Sequence, residues 1–179
     1  MLESAIFIVV NKKNIEEKEI TVDEALNLAR EIYYLTEEKK ECQAEQFALN
    51  SELERLKDWG NFDPSSVADI VEKGIDVSFY EIPKTEYESL GENIKTVRLD
   101  ITKTSVKCML IKSGLEGENE IVASLNSYKL ELPQMSTEEM RQKVSNLGDR
   151  IKSLDEKILS YGKYTKALKN AVKACEKEI

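Results

Sequence analysis

The apolar residues of the last forty positions constrain this chain more than any other feature. They fall at Met140, Val144, Leu147, Ile151, Leu154, Ile158, Tyr161, Thr165, Leu168, Val172, Cys175 and Ile179, in alternating steps of four and three. A 3.5-residue repeat sustained this long predicts a left-handed coiled coil, because a helix must underwind slightly to keep such a stripe on one side. With Val144 at heptad position a, the a positions are mostly Val and Ile. Position d holds Met140, Leu147, Leu154, Tyr161, Leu168 and Cys175. Ser136 with Glu139 forms a capping box at the start, and Met135 with Met140 suits a hydrophobic staple around it.

A second heptad arm precedes it. Thr21 and Glu24 make another capping box, after which Leu28, Leu35, Cys42, Leu49 and Leu56 share position d. Position a holds Ala25, Ile32, Lys39, Gln46 and Leu53, and the polar Lys39 and Gln46 read as residues that specify register. Helix from Val22 to Asp58, roughly 37 residues, is about 55 Å long.

Charges beside the seam orient the pair. Position g of the first arm is Glu24, Glu31, Glu38, Glu45 and Glu52; position g of the second begins Lys143, Arg150, Lys157. An antiparallel hairpin sets g against g and predicts Glu52 with Lys143, Glu45 with Arg150 and Glu38 with Lys157. The seam layers Leu53 with Val144 and Leu56 with Met140 fit the same register. Exposed pairs of this kind contribute about 0.2–1 kcal/mol each, so they select a register more than they hold the fold. Gly148 and Gly162 sit inside the second arm at e positions, either as tolerated surface glycines or as places where the arm bends or another chain comes close.

Between the arms the period changes to two. Apolar alternation appears at Ile75–Ile82, Ile94–Ile101, Ser105–Ile111 and Tyr128–Leu132, separated by helical pieces. Asp63 caps a helix with Pro64 at its first position that ends near Gly74; Pro83–Leu90 stops at Gly91; Glu118–Leu125 follows the Gly114–Gly117 turn. The order β-α-β-β-α-β is ferredoxin-like. The chain therefore reads as α+β: a long antiparallel two-helix coiled coil with a small α/β head inserted at its tip. Its parts are a short segment 1–20, a first arm 21–58, a head 59–135 and a second arm 136–179. Residues 1–20 read as a short piece packing against the far end of the arms. Asn11–Asn14 reads as a turn; before it, Leu2, Ala5, Ile6 and Val9 have helical spacing while Ile6–Val10 has strand propensity.

Composition removes several kinds of chemistry. The chain of 179 residues has no His, which excludes His-based acid–base and nucleophilic pairs and the commonest zinc ligand. A net charge of −8 disfavours a phosphate-tracking role. A local basic patch remains (Lys143, Arg150, Lys152, Lys163, Lys166, Lys169, Lys173). Cys42, Cys108 and Cys175 offer neither metal spacing nor a disulfide framework, which suits a reducing compartment. No apolar run approaches the ~20 residues of a membrane span. Gly114-Leu-Glu-Gly117 lacks the Lys-Ser/Thr of a phosphate loop and reads as a turn. No catalytic, metal or cofactor site is expected.

The only Trp lies where the first arm meets the head. Gly60 lets the chain turn off the helix, Asp63-Pro64 restarts one, and Trp59 with Phe62 can plug the corner. That makes Trp59, Gly60, Phe62 and Asp63 a structural junction, with a binding hot spot as the other reading.

Trp59-Gly60-Asn61-Phe62-Asp63, closing a Glu-rich heptad helix, resembles the W-G-x-F-D signature of subunit I of the V/A-type rotary ATPases, the bacterial and archaeal counterpart of eukaryotic subunit a. The similarity continues through Val77-Ser-Phe-Tyr80 and the second arm, covering residues 21–179. This resemblance implies a cytoplasmic stator half of that subunit, non-catalytic and without a cofactor. It implies an antiparallel coiled coil with an α/β lobe at each end, resisting torque while a membrane half carries protons or sodium ions.

By the same resemblance, a peripheral-stalk helical heterodimer grips the distal lobe, the head 60–135. A central-stalk adaptor lies near the proximal end, and the rotor ring is met only through the membrane half. There are departures. Nothing here matches the polytopic membrane half, the proximal lobe is at most a remnant in residues 1–20, and Asp58 stands where the family often has Pro. The expectation is thus a soluble fragment on the cytoplasmic face. An unrelated coiled-coil hairpin scaffold, or a nucleic-acid-binding helical hairpin, are the competing readings.

Overall fold

The computed structural model describes residues 4–6, 18–91, 94–114 and 116–177, the last three of these by backbone alone. The chain divides into two compact units, Met1–Ser51 with Arg141–Ile179, and Glu52–Met140. The turn expected at 11–14 and most of the strand-prone run 6–10 lie outside the described residues.

The first unit is built on α1 (Val22–Leu56), α5 (Thr137–Ser160) and α6 (Thr165–Lys177). Both capping boxes form. The Thr21 amide donates to Glu24 Oε2 at 2.8 Å and the Glu24 amide to Thr21 Oγ1 at 3.3 Å. Ser136 and Glu139 repeat the exchange at 2.8 and 3.1 Å. Each box satisfies helix-start amides that have no partner within the helix. The core joins Ala25, Ala29, Ile32 and Leu35 of α1 to Leu154, Ile158, Leu168 and Ala171, with Ala5 packed among them. Ala5, with Ile6 and Ile20 beside it, gives this stretch a further layer. Further along, Cys42, Leu49, Val144, Leu147 and Ile151 are only half-buried, because two helices alone cannot enclose a seam.

The arms pair antiparallel with g against g, but one heptad away from the expected register. Lys143 meets Glu45 at 2.5 Å, Arg150 meets Glu38, and Lys157 meets Glu31 at 2.8 Å. Glu52 instead pairs with Arg55 of its own helix at 2.5 Å. The glutamates recur at every heptad, so a slide of seven residues preserves every charge match. The polar seam residues break that degeneracy. Lys39 Nζ reaches Asp155 Oδ1 at 2.5 Å, and the Gln46 amide donates to the Val144 carbonyl at 3.1 Å. Val144 therefore faces Gln46 and not Leu53. In the expected register Lys39 would have faced Ile158, with Gly162 and no carboxylate beside it.

The two glycines acquire distinct roles. A Cβ on Gly148 would sit 3.3 Å from Gln46 Nε2, so the missing side chain admits that amide to the backbone. Gly162 lies in a 3-10 turn, Tyr161–Tyr164, that separates α5 from α6. The second arm is thus not one unbroken helix. The four–three spacing of Tyr161, Thr165 and Leu168 continues across the turn, which is why the pattern alone conceals it.

The second unit holds α2 (Pro64–Glu72), β1 (Val77–Pro83), α3 (Lys84–Ser89), β2 (Lys95–Ile101), β3 (Ser105–Ile111) and α4 (Glu118–Ser124). The sheet order is β1-β3-β2, antiparallel throughout. Tyr80, Ile82, Val106, Cys108 and Leu110 form a core on one face with Ile94 and Leu125. Phe62, Val77 and Phe79 form another with Trp59, Val67, Ile70 and Met109. The expected fourth strand at 128–132 is reduced to one bridge, Lys129 opposite Tyr80, with the Leu130 amide donating to Phe79 O at 2.8 Å. A 3-10 turn occupies Asn126–Tyr128 and Pro133 has no N–H, so no longer ladder fits between them. Within the expected Gly114–Gly117 turn, Glu116 and Gly117 do lie in a turn, and the buried Glu118 carboxylate accepts from the Ser113 and Gly114 amides at 2.9 and 2.7 Å.

Candidate interaction site

The junction residues assemble within the second unit. Lys57–Trp59 closes the first helix as a 3-10 turn, and Gly60 follows at φ 76°, ψ −152°, a conformation open to glycine and strained for other residues. The Trp59 ring meets Phe79 edge-on at 6.2 Å, and Phe62 meets the same ring at 5.7 Å. Phe62 is buried, and its carbonyl accepts from the Thr137 amide at 2.9 Å, tying the junction to the start of α5. Asp63 caps α2 through the Ser65 amide at 2.9 Å. Hydrogen bonds from the Ser65 hydroxyl and amide hold the Asp63 carboxyl below its ordinary range. Trp59 itself is half-buried, less than a plug would be.

Sequence reasoning overlooked Lys107. In an alternating strand it would face water, yet it is 3% exposed. Its ammonium lies 5.9 Å from the Trp59 ring centroid and 3.5 Å from Asp58 Oδ2, and its cross-strand neighbours are Glu81 and Asp100. Asp58, which departs from the family pattern, thus faces a buried cation. A partial signal was present: in Ser105–Ile111, as in Val77–Ile82, both alternating sets carry large apolar residues, the mark of a strand covered on both faces, but the pattern does not say which of the two is central.

Among the described residues no group of three or more Cys, Asp or Glu could hold a metal ion. The basic patch is divided, since Lys143 and Arg150 are already matched by Glu45 and Glu38. Exposed apolar side chains mark two surfaces. On α1, Tyr33, Tyr34 and Phe47 face solvent, Phe47 at 75%. On β2, Val97 is exposed, as are Leu99 and Ile101, each at 51%. Among the described residues no helix is long and apolar enough to cross a membrane.

The described residues define an α+β class of fold, an antiparallel helical pair whose chain is interrupted by a small sheet unit. The comparisons sharpen that class. No family model matches the chain. Over 119 residues it is 28% identical to V-type ATP synthase subunit I 1 of Treponema pallidum (strain Nichols), a match spanning 65% of this chain and 18% of the relative. The chain thus matches under a fifth of that relative's length. A solved structure, the cytoplasmic N-terminal domain of subunit I, homolog of subunit a, of V-ATPase, is similar in fold. Its TM-score is 0.51 at 12% identity, over 96% of this chain and 67% of the other. The resemblance to subunit I read from the junction motif is met in both sequence and fold.

Proposed function

We propose that this chain is a stator segment of a V/A-type ATPase subunit I, acting on the cytoplasmic face of the membrane. The observation that carries the reading is convergence: a sequence likeness over 119 residues and a fold likeness over 96% of the chain lead to the same subunit. The physics suits the role. A 35-residue helix braced antiparallel by interhelical ion pairs resists bending, as a strut under torque must. The sheet unit, which we read as ferredoxin-like with a vestigial last strand, is the part gripped by a peripheral-stalk helical heterodimer. Residues 1–20 lie on the side of the central-stalk adaptor. The chain contributes no chemical step, because ion translocation belongs to the membrane half.

The test is capture of the purified peripheral-stalk heterodimer by the full chain. A version with residues 60–135 replaced by a short Gly/Ser turn serves as the comparison. Binding to the first and its loss in the second is expected. Equal binding to both, with the arms still helical, places the interface on the arms and defeats the proposal.

A further inference from the structure

On the Tyr80–Ile82 face of the sheet, a groove of about 370 Å³ opens between α3 and β2. Tyr87, Leu90 and Val106 line it, with the half-exposed Ile101. The Tyr87 hydroxyl hydrogen-bonds Thr96 Oγ1 at 2.8 Å, which fixes the helix against the strand. Among the described lining residues, Lys84 and Arg98 lie on the rim against one carboxylate, Glu88, and Lys95 and Lys103 flank the strand. Neither Lys84 nor Arg98 takes part in an ion pair among the described residues. In a chain of net charge −8, a groove with a part-apolar floor and two cations against one carboxylate among its described lining residues is a local inversion of the surface.

We propose that this groove docks an acidic amphipathic helix of a partner protein. The identification of that partner with the peripheral stalk rests on the function proposed above; the chemistry of the groove does not. A β-strand is the poorer occupant, although β2 is an edge of the sheet. The ladder shifts register between Arg98 and Asp100, and Lys95, Arg98 and Asp100 line the strand. Bulges and charges are the devices that keep edge strands from pairing with others. A helix needs no ladder. Its apolar face seats on Tyr87, Leu90 and Ile101, and its carboxylates meet Lys84 and Arg98. Charge complementarity of this kind selects partners and raises association rate more than it adds affinity.

The experiment titrates the full chain with two synthetic helical peptides of equal length and identical apolar face, one with Glu and one with Lys on the polar face. The Glu peptide is expected to bind and to lose at least tenfold in affinity against Lys84→Glu/Arg98→Glu. The same double variant should bind the Lys peptide more tightly than the unaltered chain does, which mere damage to the fold would not produce. Lys73→Glu, an exposed change elsewhere in the unit, should leave both affinities unchanged. A Glu peptide that fails to bind, binds no better than the Lys peptide, or ignores the double variant overturns the groove. The peripheral-stalk heterodimer is titrated in parallel. If it binds the full chain and ignores the double variant, the groove fails and the stator reading stands. If the Glu peptide shows the groove dependence and the heterodimer does not bind, the groove stands and the stator reading falls.

Discussion

Lys107 shows how one side chain can depend on contacts far away in sequence. An ammonium that is 3% exposed has lost most of its water, and its compensation is the Asp58 carboxylate at 3.5 Å and the face of Trp59. Trp59 therefore acts both as a packing residue against Phe79 and as a partner to a cation. Trp59→Ala is expected to cost about 2–3 kcal/mol, below the roughly 3–5 of a fully buried aromatic because Trp59 is half-buried. Urea unfolding followed by circular dichroism checks this, and a loss under about 0.5 kcal/mol would remove Trp59 from the junction's energetics. Cys108 is the second informative residue. Burial pushes its thiol from 9.0 to about 11. The neutral form is favoured when folded, so the unfolded chain gives up its proton first as pH rises. Stability from this group is full below pH 9.0 and is lost progressively towards about 11. The same burial predicts that alkylation of the native protein modifies Cys42 well before Cys108. Peptide mapping showing equal rates at both would contradict it.

At the scale of the element, the heptad register is the sharpest result. Glu38→Lys should destabilise the arms, and Arg150→Glu should restore them, whereas Lys157→Glu should not. The coupling is expected at about 0.2–1 kcal/mol, the range for exposed pairs, since both partners remain substantially in water. Rescue by Lys157→Glu would restore the register read from charges alone. The neighbouring pair sets a pH window. Hydrogen bonds from Lys157 and Tyr161 hold the Glu31 carboxyl below its ordinary 4.5, and Glu31 holds Lys157 above its ordinary 10.5. A lowered acid stabilises above its unfolded value and a raised base below it. The pair therefore contributes fully through neutrality, and the contribution falls on acidification below about 4.5 or on alkalinisation above about 10.5. Glu31→Gln should flatten the acid limb of a stability–pH curve.

For the molecule as a whole, two sets of cores sit in two units, so the units report on different probes. Helical circular dichroism is dominated by the arms, while the single Trp lies in the second unit. Leu154 is 1% exposed within the first unit's core. Leu154→Ala is expected to cost about 2–5 kcal/mol there. The expected outcome in urea is a large fall in the circular dichroism midpoint with a smaller change in the Trp59 fluorescence midpoint. Equal shifts in both would show one cooperative unit.

What the sequence by itself determined was local. Helix starts at Thr21, Asp63 and Ser136 and the strand Ser105–Ile111 depend on spacings of a few residues, and each formed where its pattern lies. The antiparallel sense of the arms was legible too, because sign and heptad position carry it. The junction motif also carried the resemblance to subunit I that both comparisons meet. The tertiary structure alone decided the rest. A repeating row of glutamates cannot distinguish one heptad from the next; the contacts of Lys39 with Asp155 and Gln46 with the Val144 carbonyl do. Strand order put Lys107 in the middle of a sheet covered on both faces, and left β2 at an edge with Val97, Leu99 and Ile101 in water. Those outcomes rest on which distant segments meet, and a pattern that repeats along one segment is silent about its neighbour's place in the fold.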